Sequence, residues 1–249
     1  MKDSLSPISL MMKYRFFLVV IALIALDAAA AFGQATVFGP SVDSRSLDPV
    51  GEPPIYYSIS VPDHYVPSKP VPLVLALHFG GAPEGAGRAV LDILVAQAFS
   101  DLGAIIVAPD SRGGAWSSAA NEHAVELLLE EMFKTYNIDR KRIAVTGFSM
   151  GGTGAWHFGM KYPDRFSAVI PISGTPPDTT DQWRLPVLAI HSRDDRVVPI
   201  GPTEQYVAEL RKSGGHAELI ELTGIAHHQT YRFVDGLRRA VPWLKELWK

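Results

Sequence analysis

The fold is decided by the stretch Arg142-Ile143-Ala144-Val145-Thr146-Gly147-Phe148-Ser149-Met150-Gly151-Gly152. Its apolar and β-branched first part, residues 142–146, predicts a short buried strand, and residues 152–162 predict a helix. The Gly-x-Ser-x-Gly pattern between them, in a strand–turn–helix context, is typical of a nucleophile elbow. Such a turn strains the backbone of the serine, and the small glycines leave the room that it requires. Ser149 is therefore predicted to hold its hydroxyl above a sheet, at the N-terminus of a helix.

The rest of the chain alternates predicted strands with predicted helices. This order predicts an α/β fold with a mostly parallel sheet that is covered on both faces. In such sheets the ligand site lies beyond the carboxyl ends of the strands. Asn121 is predicted to cap its helix, and Pro242 to kink or interrupt the last one. The predicted strands are 55–61, 73–78, 104–108, 142–146, 168–172, 186–191 and 217–222, and the predicted helices are 90–102, 121–136, 152–162, 203–213 and 230–248.

A serine nucleophile needs a base, and the base needs a group that orients it. Asp195 follows the predicted strand 186–191 and is the favoured orienting acid, with Asp194 as the alternative. His227 follows the last predicted strand and is the favoured base, with His228 as the alternative. The histidine spacing contains no His-Glu-x-x-His pattern, so we expect neither a metal nor another cofactor.

The negative charge that develops on the substrate needs two backbone N–H groups placed in advance. Met150, directly after the serine, is predicted to supply one N–H group. The loop after strand 73–78 is predicted to supply the other, from Phe79 or Gly80. Trp116 and Trp183 also follow strand ends, and each is interpreted either as a wall of a substrate pocket or as surface packing.

The composition excludes several classes of function. The net charge is only −3 and no basic run is present, so nothing indicates nucleic-acid binding. The chain has no cysteine, which excludes disulfides, thiolate catalysis and cysteine metal sites. The expected partner is therefore a small-molecule substrate, with no nucleic acid.

Residues 1–35 are predicted to be a signal peptide. Basic residues precede the apolar run 16–26, and small residues follow it, with Ala31 and Ala35 as plausible cleavage points. An uncleaved membrane anchor is the alternative, but the apolar run is short for a bilayer span. We expect an exported protein, periplasmic or secreted, with one catalytic domain over residues 36–249 and no membrane attachment after cleavage.

With these motifs the chain resembles the α/β-hydrolase superfamily, and within it the exported carboxylesterases of the dienelactone hydrolase, feruloyl esterase, polyhydroxybutyrate depolymerase and phospholipase/carboxylesterase groups. The family's His-Gly-x-x-Asp-x-x-Val-Pro pattern matches residues 191–199, with Ser192 in place of glycine, and it assigns the acid to Asp195. The Gly-x-x-His pattern matches residues 224–227. Phe79 departs from the family, since many members carry glycine directly after the histidine that ends the strand.

The resemblance implies a serine hydrolase that cleaves carboxylic esters through an acyl-enzyme intermediate. The loop 173–184 is too short for the lid that true lipases insert there. We therefore expect an open site suited to short-chain or bulky soluble esters. The alternatives are a lysophospholipase, a thioesterase or an exported peptidase of the same fold, and, in a different class, a non-enzymatic binding protein.

Overall fold

The computed structural model of the protein describes residues 41–249. The predicted signal peptide lies outside these described residues. The strands are β1 (Asp43–Leu47), β2 (Ile55–Ser60), β3 (Val71–Leu77), β4 (Ile105–Pro109), β5 (Ile138–Phe148), β6 (Ala168–Ile172), β7 (Val187–Ser192) and β8 (Ala217–Leu222). The helices are α1 (Ala86–Val90, continued by a π-helical turn at Leu91–Val95 and by Ala96–Ala98), α2 (Ala119–Thr135), α3 (Met150–Lys161), α4 (Gly201–Lys212), α5 (Val234–Arg238) and α6 (Ala240–Leu247), with a 3₁₀ turn at Thr230–Phe233.

The strands form one sheet in the order β1-β2-β4-β3-β5-β6-β7-β8. β2 is antiparallel to β1 and to β4, whereas the five other neighbouring pairs, from β4-β3 to β7-β8, are parallel, which confirms the predicted mostly parallel sheet. Leu77 pairs with Gly147 where β3 and β5 end. The loop that begins at His78 and the elbow at Ser149 therefore start side by side.

Helices cover both faces of the sheet, and successive side chains of the central strands alternate between them. Val74 and Ala76 of β3 belong to a core that includes residues of α1, α5 and α6. Leu73, Leu75 and Leu77 belong to a second core with residues of α2, α3 and α4. Because both faces are buried, the buried parts of the central strands, such as residues 73–77 of β3 and 143–145 of β5, are apolar.

The structure differs from the sequence-based expectation in the cap of one helix, in the continuity of the last helix and in the bounds of several elements. Ser118, not Asn121, caps α2, and its hydroxyl accepts a hydrogen bond from the Asn121 N–H. Asn121 lies inside the helix because its buried side chain bonds the preceding loop instead. The last predicted helix breaks into a 3₁₀ turn, α5 and α6, so the interruption comes before Pro242 rather than at it. The helix expected at residue 90 already begins at Ala86.

β1 was not predicted. Its residues are almost all exposed and polar, so the apolar periodicity that reveals a strand is missing. Pairing with β2 alone holds it at the edge of the sheet. Across residues 41–249, no helix has both the length and the apolar character that crossing a membrane requires.

Candidate active site

The elbow holds Ser149 in an unusual backbone conformation, with φ 57° and ψ −116°, directly before α3. Its N–H donates to the Ile172 carbonyl at 2.9 Å, which ties the turn to β6. Glycine is required on both sides because the backbones approach closely. A Cβ on Gly147 would lie 2.4 Å from the Gly151 carbonyl oxygen, and one on Gly151 would lie 2.0 Å from the Leu77 carbonyl oxygen. The predicted strand, sharp turn and helix are confirmed.

The positive φ of Ser149 leads to a stability prediction. Ser149→Gly and Ser149→Ala both remove the hydroxyl, but only alanine keeps the Cβ. Strain at such a position is about 1–3 kcal/mol, and glycine's extra entropy in the unfolded chain offsets only about 0.5–1 kcal/mol. We expect the glycine variant to melt about 2–4 °C above the alanine variant, corresponding to about 1 kcal/mol. Equal or reversed melting temperatures would show that the elbow stores no strain.

Ser149, His227 and Asp195 form a continuous chain of hydrogen bonds. Ser149 Oγ lies 2.8 Å from His227 Nε2, and His227 Nδ1 lies 2.7 Å from Asp195 Oδ2. His227 and Asp195 are buried, with 5% and 4% of their surface exposed, so bulk water does not compete for the bond between them, whereas Ser149 is half-buried. The three residues follow β5, β8 and β7, whose carboxyl ends meet at one edge of the sheet.

The environment of Asp195 sets the roles of the two imidazole nitrogens. Burial opposes ionisation of this carboxyl, but hydrogen bonds from His227 and from the Val198 and Val197 N–H groups outweigh it and hold its pKa below the ordinary value. An ionised carboxylate only accepts hydrogen bonds. Nδ1 of His227 therefore carries the proton, and Nε2 of the neutral ring accepts the hydrogen bond from the Ser149 hydroxyl.

The loop that carries Asp195 is held by a second buried histidine. His191 Nε2 lies 2.8 Å from the Val198 carbonyl oxygen, and its Nδ1 lies 3.0 Å from Thr203 Oγ1. Burial, the largest influence, lowers the pKa of this imidazole. Because Val198 also donates its N–H to Asp195 Oδ1 at 2.9 Å, the neutral His191 ring fixes the backbone that holds this carboxylate.

The two residues left as alternatives lie elsewhere. Asp194 is exposed, and its carboxylate accepts a hydrogen bond from the Gly224 N–H, which links the β7 and β8 loops. His228 is also exposed, and its ring packs edge-on against His227 with centroids 5.5 Å apart. The structure thus joins Asp195 and His227 to Ser149 in one hydrogen-bond chain, and neither Asp194 nor His228 is part of that chain.

The adjacent aspartates form a matched pair for mutagenesis. Asp195→Asn is expected to lower kcat for ester hydrolysis by about 10⁴-fold, because an amide N–H facing Nδ1 favours the wrong imidazole tautomer. Asp194→Asn keeps an oxygen acceptor for Gly224 and is expected to stay near the parental rate. Steady-state kinetics of both purified variants make the comparison. Equal losses in the two variants would contradict the assignment of the acid.

Met150 lies next to Gly80, one of the two residues predicted as the second oxyanion donor, with Phe79 as the other. Met150 is the first residue of α3, where a helix leaves its N–H groups unpaired. A Cβ built on Gly80 would lie 4.0 Å from Met150 Cβ. Within residues 41–249, the N–H groups of Met150 and Gly80 donate to no protein acceptor. The carbonyl of Phe79 is directed to the His78 ring, with 2.6 Å between the oxygen and Nδ1.

A cavity of about 470 Å³ opens over Ser149 and His227. Its lining is largely apolar, from Phe79, Ile93, Phe148, Val197 and Tyr231. Val197 and Tyr231 are 56% and 64% exposed, which is high for large apolar side chains and fits contact with a ligand. Sequence reasoning missed Val197 and Tyr231, because isolated exposed apolar residues form no periodic pattern.

The two tryptophans have different surroundings. Trp116 is buried, donates its indole N–H to the His78 carbonyl at 3.0 Å and lines a second cavity of about 240 Å³ that also borders Met150. Trp183 packs edge-on against Trp156 and donates to the Leu185 carbonyl. It lines neither of the two cavities near Ser149.

Among residues 41–249, no group of three or more histidine, aspartate or glutamate side chains is arranged to hold a metal ion.

A comparison with family models identifies the family of the chain. The model of the phospholipase/carboxylesterase family matches residues 111–241, more than half of the 249 residues. The chain belongs to this family. The matched region contains Ser149, Asp195 and His227, whereas the Phe79–Gly80 loop precedes it.

Individual relatives are esterases. Feruloyl esterase C of Emericella nidulans is 28% identical over 58% of this chain and 56% of its own length. The chain thus spans little more than half of that relative. A thermostable esterase of known structure is 26% identical, with a TM-score of 0.68 over 82% of this chain and 62% of that one. A ferulic acid esterase of Anaeromyces mucronatus is 19% identical, with a TM-score of 0.61 over 82% of this chain and 91% of that one. The predicted α/β-hydrolase fold is confirmed.

Proposed function

We propose that the protein hydrolyses carboxylic esters with Ser149 as nucleophile, His227 as general base and acid, and Asp195 as the orienting acid. The observation that carries this proposal is the buried hydrogen-bond chain from Ser149 Oγ through His227 to Asp195. Its position beside two free backbone N–H groups adds support, because acyl transfer needs both a nucleophile–base pair and oxyanion donors.

The proposed reaction has two stages. Ser149 Oγ attacks the ester carbonyl carbon while its proton passes to His227 Nε2, and the carbonyl oxygen becomes an oxyanion facing the Met150 and Gly80 N–H groups. The bond to the alcohol oxygen then breaks as His227 returns the proton to it, which leaves an acyl-enzyme. Water, deprotonated by His227, attacks the acyl carbon, and the acid leaves as the proton returns to Ser149.

The substrate we propose is a short-chain or bulky soluble ester. β6 and β7 are joined by residues 173–186 alone, with no inserted domain over the site. The cavity over Ser149 has aromatic walls from Phe79, Phe148 and Tyr231, which suit an aromatic acyl or alcohol group. The relatives named feruloyl esterase favour an aromatic acyl group.

Hydrolysis of a panel of esters tests the proposal. We expect high kcat/KM for p-nitrophenyl acetate, p-nitrophenyl butyrate and methyl ferulate, and low kcat/KM for emulsified p-nitrophenyl palmitate. A clear preference for palmitate would contradict the open site. Matched p-nitroanilide, thioester and lysophospholipid substrates separate an esterase from a peptidase, a thioesterase and a lysophospholipase. Absence of all these activities would favour a binding protein.

We also propose that residues 1–35 are an export signal that is cleaved, from the basic, apolar and small-residue pattern of that segment. N-terminal sequencing of the protein recovered from the periplasm or the medium tests this. Recovery of the intact N-terminus in the membrane fraction would favour the anchor instead.

A further inference from the structure

We propose that His78 and Trp116 are positioning residues that hold the Phe79–Gly80 peptide so that the Gly80 N–H faces the oxyanion. This inference rests on the proposed ester hydrolysis and deepens it. Neither side chain needs to touch the ester, since each acts on a backbone carbonyl of the loop after β3.

The first contact fixes the peptide between His78 and Phe79. The indole N–H of Trp116 donates to the His78 carbonyl at 3.0 Å. Both residues are buried, with 2% and 0% of their surface exposed, so water cannot replace this bond. The two rings also pack edge-on, with centroids 5.0 Å apart. The chain therefore leaves β3 in a single direction.

The second contact fixes the peptide between Phe79 and Gly80. The Ser111 N–H donates to His78 Nε2 at 2.9 Å, so this nitrogen is the acceptor and the proton sits on Nδ1. Nδ1 in turn donates to the Phe79 carbonyl at 2.6 Å. No peptide bond within the described residues is cis. In a trans peptide the N–H points opposite to the C=O, so the Gly80 N–H is directed away from the His78 ring.

Ser111 and Trp116, which contact His78, lie on a segment that further hydrogen bonds fix in place. The Asn121 side chain accepts a hydrogen bond from the Arg112 N–H and donates to the Gly113 and Ala115 carbonyls. It is completely buried, which explains why an asparagine lies inside α2 rather than at its cap. The segment that carries both Ser111 and Trp116 is thereby fixed to the first turn of α2.

The same segment also holds the far end of the oxyanion loop. The Asp110 carboxylate accepts hydrogen bonds from the Gly85 and Gly87 N–H groups, each at 2.8 Å. The loop from β3 to α1 is thus attached at its start through His78 and at its end through Asp110. Such preorganisation matters because an oxyanion donor stabilises the transition state only if it is already in place.

The substitution Trp116→Phe tests the inference. It removes the indole N–H and keeps an aromatic ring against His78. Removing an oxyanion donor outright lowers kcat by about 10²–10³-fold, so releasing one from its position is expected to lower kcat by about 10–100-fold with little change in KM. The matched control is Trp248→Phe, which removes an indole N–H that donates to Ser167 Oγ at 2.9 Å. Ser167 precedes β6 and so lies at the amino ends of the parallel strands, whereas Ser149 lies at their carboxyl ends.

Inhibition by a tetrahedral analogue distinguishes a displaced Phe79–Gly80 loop from a general loss of protein stability. Phenylboronic acid forms an adduct with an active-site serine that places an oxygen in the oxyanion position. We expect its Ki to rise in Trp116→Phe by the same factor by which kcat/KM falls, and to stay parental in Trp248→Phe. Parental kcat and Ki in a folded Trp116→Phe protein would overturn the inference while the proposed function stands. A parental protein that hydrolyses no ester would overturn both.

A pair at His78 keeps the inference testable if Trp116→Phe does not fold. His78→Asn places an amide N–H close to the position of Nδ1 and can still donate to the Phe79 carbonyl, whereas His78→Leu cannot. We expect kcat of the asparagine variant to exceed that of the leucine variant by about tenfold. Equal kcat values in the two variants would overturn the role of His78.

Discussion

Replacing Ser149 with alanine is expected to lower kcat for p-nitrophenyl butyrate by on the order of 10⁵–10⁶-fold, because the acyl-enzyme can no longer form. The surrounding backbone is unchanged by this substitution, since alanine keeps the Cβ that Ser149 already places at φ 57°. Steady-state rates, corrected for spontaneous hydrolysis, and the initial burst of p-nitrophenol measure the loss. The burst should equal the enzyme concentration if deacylation is slow, and it should vanish in the variant.

Ser173 provides the control for this substitution. It also follows a strand and has a positive φ of 46°, but within residues 41–249 its buried hydroxyl makes no hydrogen bond. Ser173→Ala is therefore expected to keep the parental rate and to be at least as stable as the parent, because it removes a buried hydroxyl that has no partner there. Residual activity of Ser149→Ala above about 1% of the parental rate would exceed what oxyanion stabilisation and binding alone retain, and it would move the chemistry to another site.

Replacing His227 with alanine is expected to lower kcat by a similar factor, on the order of 10⁵–10⁶-fold, because a serine hydroxyl is not a nucleophile near neutral pH without a base. The ring packs against Phe148 with centroids 5.1 Å apart, so its removal leaves a cavity with an aromatic wall. Added imidazole is expected to enter that cavity and restore part of the activity. Rates with and without imidazole measure the rescue.

His228→Ala is the matched control. It removes the neighbouring imidazole ring, which is exposed and is not part of the hydrogen-bond chain from Ser149 to Asp195. We expect kcat to stay close to the parental value, with any change confined to KM, because this side chain lines the cavity. A large fall in kcat for His228→Ala, with His227→Ala active, would reverse the assignment of the base.

The parts of the site that depend on local sequence could be predicted. The elbow needs glycines at fixed offsets from Ser149 and an apolar strand before it, and both are visible in one short stretch. The parallel order of strands follows from apolar runs that alternate with helical periodicity. The exposed edge strand β1 has no such pattern, and only its pairing with β2 reveals it.

The parts that depend on contacts between distant segments could not be predicted. Asp194 and Asp195 are adjacent, so their spacing alone leaves both open as the acid; Asp195 was favoured through the resemblance to the family pattern, and the contact with His227 depends on the direction in which β7 ends. Trp116 was expected either to wall a pocket or to pack on the surface, yet its indole N–H holds a carbonyl 38 residues earlier in the chain. Hydrogen bonds of this kind leave no spacing rule in the sequence.

The hydrogen bond between Ser149 and His227 joins positions 78 residues apart. Forming it requires that β6, β7 and β8 have all joined the sheet. We therefore expect this contact to form late in folding, because contacts between distant segments carry a larger entropy cost of loop closure. Under the proposed mechanism, turnover of an ester during refolding reports completion of the whole domain rather than collapse of its first half. Ester turnover is then expected to lag behind the recovery of helix and strand signals after dilution from denaturant.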